Sequence, residues 1–308
     1  MQIGIIVNPR KDNVSTLITK IDRFAGRIVK KAKFYICTYN STYTANSFEN
    51  LIVESEKNLL KKSDLIITLG GDGTLLRTVT KMHQASNKKI MGVNLGGLGF
   101  LADTPAESVT SHIENFINSN YFLDERTLIE CTPENGINSN KKKIIALNDV
   151  VIDKAGFSRV IQIDIKIDGK SLNSYIADGL IISTPTGSTG YSLSAGGPIV
   201  SPHSKVILLN PICPHSLTNR PMVIPDESEI QVRVWTENDS FSLLSDGDTQ
   251  GKFPSGTSLI LRKSAETVGF VKVKSQDFFK TLNKKMRWGE DFRNKKRWTY
   301  QKNNNADN

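Results

Sequence analysis

Asp64-Leu-Ile-Ile-Thr-Leu-Gly-Gly-Asp-Gly-Thr-Leu-Leu-Arg77 decides how the first third of the chain reads. Residues 65–69 form a largely apolar run of strand length, expected to be buried. Gly70-Gly71-Asp72-Gly73-Thr74 then turns the chain, and Leu75, Leu76, Val79 and Met82 recur at helical spacing. A strand therefore runs into a glycine-rich turn that opens a helix. Glycines let backbone approach an anionic group, and a helix N-terminus offers unpaired N–H groups and a positive dipole end. A carboxylate in mid-turn would repel a phosphate that the turn merely cradled. Asp72 thus has two readings: a chemical role, accepting a proton or holding a metal, or an N-cap or turn residue.

Outward from this stretch, residues 2–7, 33–38 and 89–94 read as strands, and 14–32, 48–60 and 75–86 as amphipathic helices. The alternation predicts an α/β domain with a parallel sheet. Ligands of such sheets sit beyond the carboxyl ends of the strands. The Gly70 turn lies at one such end, and Asn94-Leu-Gly-Gly-Leu-Gly-Phe-Leu101 at another. After a helix at 106–118 and a link at 121–126 the character changes. Strands are expected at 127–132, 143–152, 160–168, 174–183, 205–209, 222–224, 229–235, 242–245 and 258–262, with 135–143 a loop and Asp168-Gly169 a tight hairpin turn. So many short strands imply a β-rich, sandwich-like or barrel-like second domain. A helix at 276–288 places Phe279, Leu282 and Met286 on one face, and 292–308 reads as a basic, then polar, frayed tail. The expected division is 1–103 with 276–308 as the α/β domain and 104–275 as the β-rich, dinucleotide-binding domain.

The 308 residues carry a formal net charge of +9 and a pI near 9.3, which favours anionic partners such as nucleotides, nucleic acid or an acidic membrane. The four histidines form no metal-ligand spacing, and three distant cysteines do not suggest a disulfide framework. The short apolar start reads as a strand and not as a signal peptide, and no run approaches the roughly 20 residues of a membrane span. A cytoplasmic protein is expected.

Asp178-Gly-Leu-Ile-Ile-Ser-Thr-Pro-Thr-Gly-Ser-Thr-Gly-Tyr-Ser-Leu-Ser-Ala-Gly-Gly-Pro198 interleaves glycine with hydroxyl side chains. That density suits a loop holding a polyhydroxylated, phosphorylated ligand, and Tyr191 can stack on a base or bind a phosphate. A flexible linker is the blander reading, but linkers lack a preceding buried strand. In Leu147-Asn148-Asp149-Val150, successive side chains on a strand would face opposite ways, so a carboxylate would be buried unless the strand ends or bulges there. A turn between hairpin strands explains the pair equally well. Neither a P-loop nor a G-x-S-x-G elbow is present.

Together these residues resemble the NAD kinase (ATP- or polyphosphate-NAD kinase) family. Gly70-Gly71-Asp72-Gly73-Thr74 is similar to its GGDGT motif, shared with diacylglycerol kinases and 6-phosphofructokinases. Asp178-Gly, the stretch from Thr184 to Ser192 and Gly196-Gly-Pro198 resemble its long glycine/hydroxyl signature. Gly96-Gly-Leu-Gly-Phe-Leu101, Asn148-Asp149 and Phe278-Phe with Leu282 and Trp288 match further motifs. The resemblance implies transfer of the γ-phosphoryl group of ATP, in some members polyphosphate, to the adenosine-ribose 2′-hydroxyl of NAD, with Mg²⁺ or a similar divalent metal. It also implies dimers or tetramers, and a final helix returning onto the first domain.

On this resemblance Asp72 is the general base and Gly70, Gly71, Gly73 and Thr74 cradle phosphates. Arg77 balances nucleotide charge. Asp72, Gly73, Arg77, Phe100, Asn148, Asp149, Asp178, Thr186, Thr189, Gly190, Tyr191, Ser194, Asp246 and Gln250 would bind NAD, and no residue is assigned to the metal. The chain departs from the family pattern at Asp149, where Glu is common, and at Gly190, where alanine is common. In Ser245-Asp-Gly-Asp-Thr-Gln250 any of Asp246, Asp248 or Gln250 aligns with the ligand position, and a plain hairpin turn fits equally well. Two alternatives compete. A lipid or sphingoid-base kinase would want an apolar acceptor pocket, which residues 178–198 do not suggest. A non-catalytic nucleotide- or nucleic-acid-binding module would rest on the basic, aromatic tail, which a solvated helix end explains more simply.

Overall fold

The computed structural model describes residues 1–38, 43–44, 46–82, 88–97, 99–134, 143–156, 160–237, 240–274 and 277–287. Residues 135–142 of the loop expected at 135–143, the helix end beyond 82 and the tail beyond 287 lie outside the described residues.

The first half runs β1 (Gln2–Val7), α1 (Val14–Arg27), β2 (Lys33–Thr38), β3 (Leu51–Val53), α2 (Glu56–Lys62), β4 (Leu65–Gly70), α3 (Asp72–Met82), β5 (Lys89–Asn94), β6 (Thr104–Pro105) and α4 (Val109–Ile117). Strands β3-β2-β1-β4-β5 lie parallel in that order. Alternate side chains of a strand face opposite ways. Ile3, Ile5, Ile67 and Met91 therefore pack with Leu17, Ile18 and Ile21 of α1 and Ile113 of α4, while Ile6, Ile66 and Ile90 pack with Leu59 of α2 and Leu75 and Val79 of α3.

The helix expected over 48–60 is a short strand followed by a short helix. Leu51 is buried and Ile52 exposed, a period of two that three residues are too few to reveal in sequence. Ser55 then caps α2 by accepting the N–H of Asn58, with Glu56 favourable in the first turn.

The second half runs β7 (Phe122–Pro133), β8 (Ile144–Ala146), β9 (Asp149–Asp153), β10 (Ile161–Ile167), β11 (Lys170–Ala177), β12 (Gly179–Ser183), the short α5 (Tyr191–Ser194), β13 (Val206–Ile212), β14 (Met222–Pro225), β15 (Ile230–Trp235), β16 (Ser240–Ser245), β17 (Asp248–Pro254) and β18 (Ser258–Lys272). One sheet has the order β14-β13-β12-β9-β16-β17. The other, β11-β10-β15-β18, runs on through the parallel β18–β5 pair into the N-terminal sheet. Val150, Leu180, Leu209 and Phe241 of the first meet Ile163, Val232 and Leu261 of the second in one core. This is the sandwich-like β region the strand spacing implied. The α6 helix (Phe278–Met286) belongs to a second compact unit and is capped by the Asp277 carboxylate, which accepts the N–H groups of Phe279 and Lys280.

The strand expected over 174–183 is two strands in different sheets, separated at Asp178. A Cβ on Gly179 would lie 2.3 Å from the Ile152 carbonyl oxygen, so β12 needs glycine to close against β9. Strand β17 was not expected. It returns from β16 through Asp246 (φ 49°) and Gly247 (φ 84°), a two-residue left-handed turn like Asp168 (φ 51°) and Gly169 (φ 76°).

Gly92 of β5 sets how closely α3 and the chain at 102 approach the sheet. A Cβ there would stand 2.6 Å from Leu75 Cδ1 and 2.8 Å from Ala102 Cα. Gly92→Ala is expected to lower stability by about 1–3 kcal/mol through overpacking. Urea denaturation should show a lower midpoint with an unchanged slope.

Candidate active site

The chain leaves β1 for β2 on one side, while β4 lies on the other, so the crevice beyond the ends of β1 and β4 is the switch point where such sheets bind ligands. Asn8 bridges it: its backbone N–H donates to Leu69 O (3.0 Å) and its Nδ2 to Thr74 Oγ1 (3.3 Å). The expected phosphate cradle divides in two. The place of a Gly70 Cβ is occupied by Thr74 Oγ1 at 2.2 Å, so Gly70 and Thr74 pack on each other. Gly71 and Gly73 have nothing within 4 Å of a Cβ position and present open backbone. Lys11 Nζ stands 3.6 Å from the Cβ position of Gly96 at the end of β5, and Arg77 is half-buried one helical turn beyond Gly73.

Asp72 opens α3, and its carboxylate crosses to another loop. Oδ2 accepts the N–H of Phe100 (2.8 Å), and Oδ1 accepts those of Leu101 (3.1 Å) and Ala102 (2.9 Å). A Cβ on Gly99 would lie 2.3 Å from Asp72 Oδ1, so that glycine leaves room for the carboxylate.

The strand expected over 143–152 is two strands in different sheets: β8 stops at Ala146 and β9 begins at Asp149. The consecutive N–H groups of Leu147 (2.8 Å), Asn148 (2.7 Å) and Asp149 (3.2 Å) all donate to the Asp246 carboxylate, and Thr80 Oγ1 of α3 donates to it at 3.2 Å. Burial pushes the Asp246 carboxyl above its ordinary range despite these donors. Asp149 is 4% exposed; burial, with the Asp246 charge adding, pushes its carboxyl up to about 7. Asn148 Oδ1 is buried with no partner. A Cβ on Gly190 would lie 3.3 Å from Asn148 Nδ2 and 3.9 Å from Asp149 Oδ2, so the three residues converge. Of the three candidates near 250, Asp246 reaches this spot and acts there as a backbone clamp. Asp248 is exposed, and its carbonyl accepts Gln250 Nε2 at 3.1 Å.

Several hydroxyls of the 183–198 stretch are bonded to backbone carbonyls. Ser183 Oγ donates to Asn148 O (3.1 Å), Thr184 Oγ1 to Leu147 O (2.5 Å) and Ser188 Oγ to Val200 O (3.2 Å). Thr189 is half-buried, while Tyr191 and Ser194 are exposed. Asp178 pairs with Lys154 at 2.7 Å.

Sequence reasoning missed Arg126, placed only as a link. Its guanidinium grips Asp124 through Nε (2.8 Å) and Nη2 (2.6 Å), and Nη1 donates to Thr186 Oγ1 (3.4 Å). Burial pushes the Asp124 carboxyl up, but the Arg126 hydrogen bonds and charge outweigh it and hold the group below its ordinary value. A lone Asp-Glu-Arg in a strand carries no signal of this, because Thr186 lies 60 residues further along the chain. Burial pushes the Cys37 and Cys131 thiols up to about 12, so neither is a nucleophile.

A parallel sheet with an aspartate-bearing glycine turn at its switch point, continued into a β sandwich with a polar loop, defines a nucleotide-dependent phosphotransferase. The ATP-NAD kinase N-terminal domain model matches residues 3–121, and the ATP-NAD kinase C-terminal domain model matches 147–273. The NAD kinase of Chlorobium phaeovibrioides is 37% identical over 293 residues, 94% of this chain and 100% of the relative. That of Chloroherpeton thalassium is 41% identical over 251 residues, 80% of this chain and 87% of the relative. Yeast NADH kinase complexed with NADH matches with a TM-score of 0.84 at 27% identity, covering 96% of this chain and 90% of that one. An Archaeoglobus fulgidus NAD kinase in complex with ATP shares the fold, with a TM-score of 0.71 at 23% identity over 93% of this chain and 99% of that one. The chain belongs to the ATP-NAD kinase family.

Asp149→Asn is expected to stabilise the unliganded protein at pH 8 and not at pH 3. Folded Asp149 keeps its proton up to about pH 7 against an ordinary value of 3.8, so ionisation costs stability as pH rises between those values. Above pH 7 the asparagine removes that cost, on the order of a few kcal/mol. Equal effects of the substitution on the unfolding midpoint at both pH values would contradict the assignment.

Proposed function

We propose that the chain transfers the γ-phosphoryl group of ATP to the adenosine-ribose 2′-hydroxyl of NAD, with Asp72 as the base. The observation that carries the residue roles is the polar pair Asn148-Asp149 in the sandwich. Asn148 Oδ1 is buried without a partner beside an Asp149 carboxyl that burial pushes up to about 7, and a ribose hydroxyl supplies the donor that Asn148 lacks. Gly71 and Gly73, the N-terminus of α3, Lys11 and Arg77 take the phosphates. Gly190, Thr189, Tyr191 and Ser194 hold the dinucleotide, with Phe100, Thr186 and Asp178 around it. Asp246, with Thr80 donating to it, positions the 147–149 backbone.

In a loose phosphoryl-transfer transition state, orienting the attacking hydroxyl and neutralising charge do most of the work. Asp72 suits the first task because three backbone N–H groups orient its oxygens. The acceptor hydroxyl gives its proton to that carboxylate. For a divalent metal, the described residues include no group of three or more His, Cys, Asp or Glu able to cage an ion. They fit Mg²⁺ carried on the triphosphate with Asp72 as the protein carboxylate, the common mode for that ion. When bound, the ion neutralises charge on the phosphates.

Incubation with ATP, MgCl₂ and NAD should yield NADP. Asp72→Asn should lower kcat by about 10²–10⁴-fold while calorimetry still detects NAD binding. No NADP from the wild type would overturn the function, and an equally active Asn variant would overturn the base assignment.

A further inference from the structure

We propose that the buried ion pair Lys272–Asp103 is a positioning element for phosphoryl transfer: it sets the loop whose amides hold the Asp72 carboxylate. The inference rests on Asp72 acting as the base. Asp103 directly follows Ala102, whose N–H donates to Asp72 Oδ1, and its own carboxylate is bonded by Lys272 Nζ from the last residue of β18. The other end of that loop is tied back to β5, where Asn94 Nδ2 donates to Gly97 O (2.9 Å) and Asn94 Oδ1 accepts the N–H of Gly96 (3.0 Å). The amides of 100–102 are thus held between a strand end and an ion pair.

The pair does not read as a device for stability alone. Both side chains are nearly buried, at 10% and 7% exposure, and a buried pair gains little over apolar residues of the same volume. What it supplies is direction. Lys272 Nζ lies 5.7 Å from the centroid of the Phe270 ring, and the Arg126 guanidinium lies 5.8 Å from the same centroid. Strands β7 and β18 pair with Asp124 opposite Phe270 and Arg126 opposite Val268. From this ladder Lys272 reaches to Asp103 beside the base loop, and Arg126 reaches to Thr186 of the acceptor loop. One pair of strands therefore references both halves of the site. A displacement of about 1 Å in such a reference costs on the order of 10²-fold in rate.

Lys272→Met keeps length and apolar volume and removes the charge. Its kcat should fall by about 10- to 100-fold, with KM for NAD and ATP within about threefold of wild type. Lys272→Arg should restore kcat to within about threefold. Asp103→Asn should reproduce the loss, and the double variant should lose no more than either single one. If Lys272→Met does not fold, Asp103→Asn, which keeps the side-chain volume, carries the same reading. A kcat within twofold of wild type with a lowered melting temperature would overturn the proposal, as would a loss confined to KM. The Asp72→Asn control separates the two failures. An active Asn variant overturns the base assignment and this proposal with it. An inactive one beside a fully active Lys272→Met overturns the positioning role alone.

Discussion

A backbone N–H that leaves a strand without a ladder partner must find another acceptor, and in this protein two carboxylates meet that demand. Asp72 gathers the N–H groups of 100–102, and Asp246 gathers those of 147–149. Each ties down a connection between strands, and each connection borders one part of the candidate site. The two are linked through α3, which begins at Asp72 and whose Thr80 donates to Asp246. Eight residues of helix span about 12 Å, so α3 works as a spacer between the Asp72 carboxylate and the clamp under Asn148-Asp149.

Rigidity here depends on hydroxyls spent internally. Ser183, Thr184 and Ser188 bond to backbone carbonyls, which leaves the loop around Gly190 with little freedom to lose when a ligand arrives. Asn148 Oδ1 and the raised Asp149 carboxyl stand where the backbone is most tightly held, the arrangement expected of a site organised before binding.

Much of the fold was legible because its signals are local. The apolar runs of β1, β4 and β5 and the Asp168-Gly169 turn depend on neighbouring residues only. Segment 48–60 misled because β3 is too short to show its period and Ser55 was not recognised as a cap. Residues 174–183 misled because a single residue, Asp178, separates the two strands, too short a break to show in sequence. The candidate site was legible only as motifs, in Asp72, Asn148-Asp149 and the glycine/hydroxyl loop. Which motif atoms face a ligand was not.

By itself the sequence determined the parallel sheet, the glycine turn carrying Asp72, the β-rich second half and the family resemblance, since periodicity, turn chemistry and motif spacing are properties of adjacent residues. Only the tertiary structure decided that Gly70 makes room for Thr74 while Gly71 and Gly73 stay open, that Asp246 clamps backbone, and that Arg126 and Lys272 anchor the two halves of the site. The reason is distance along the chain. Lys272 and Asp103 are 169 residues apart, and Asp246 and Asn148 are 98. A side chain's partner and burial are set by which strands pair, and no local pattern encodes that.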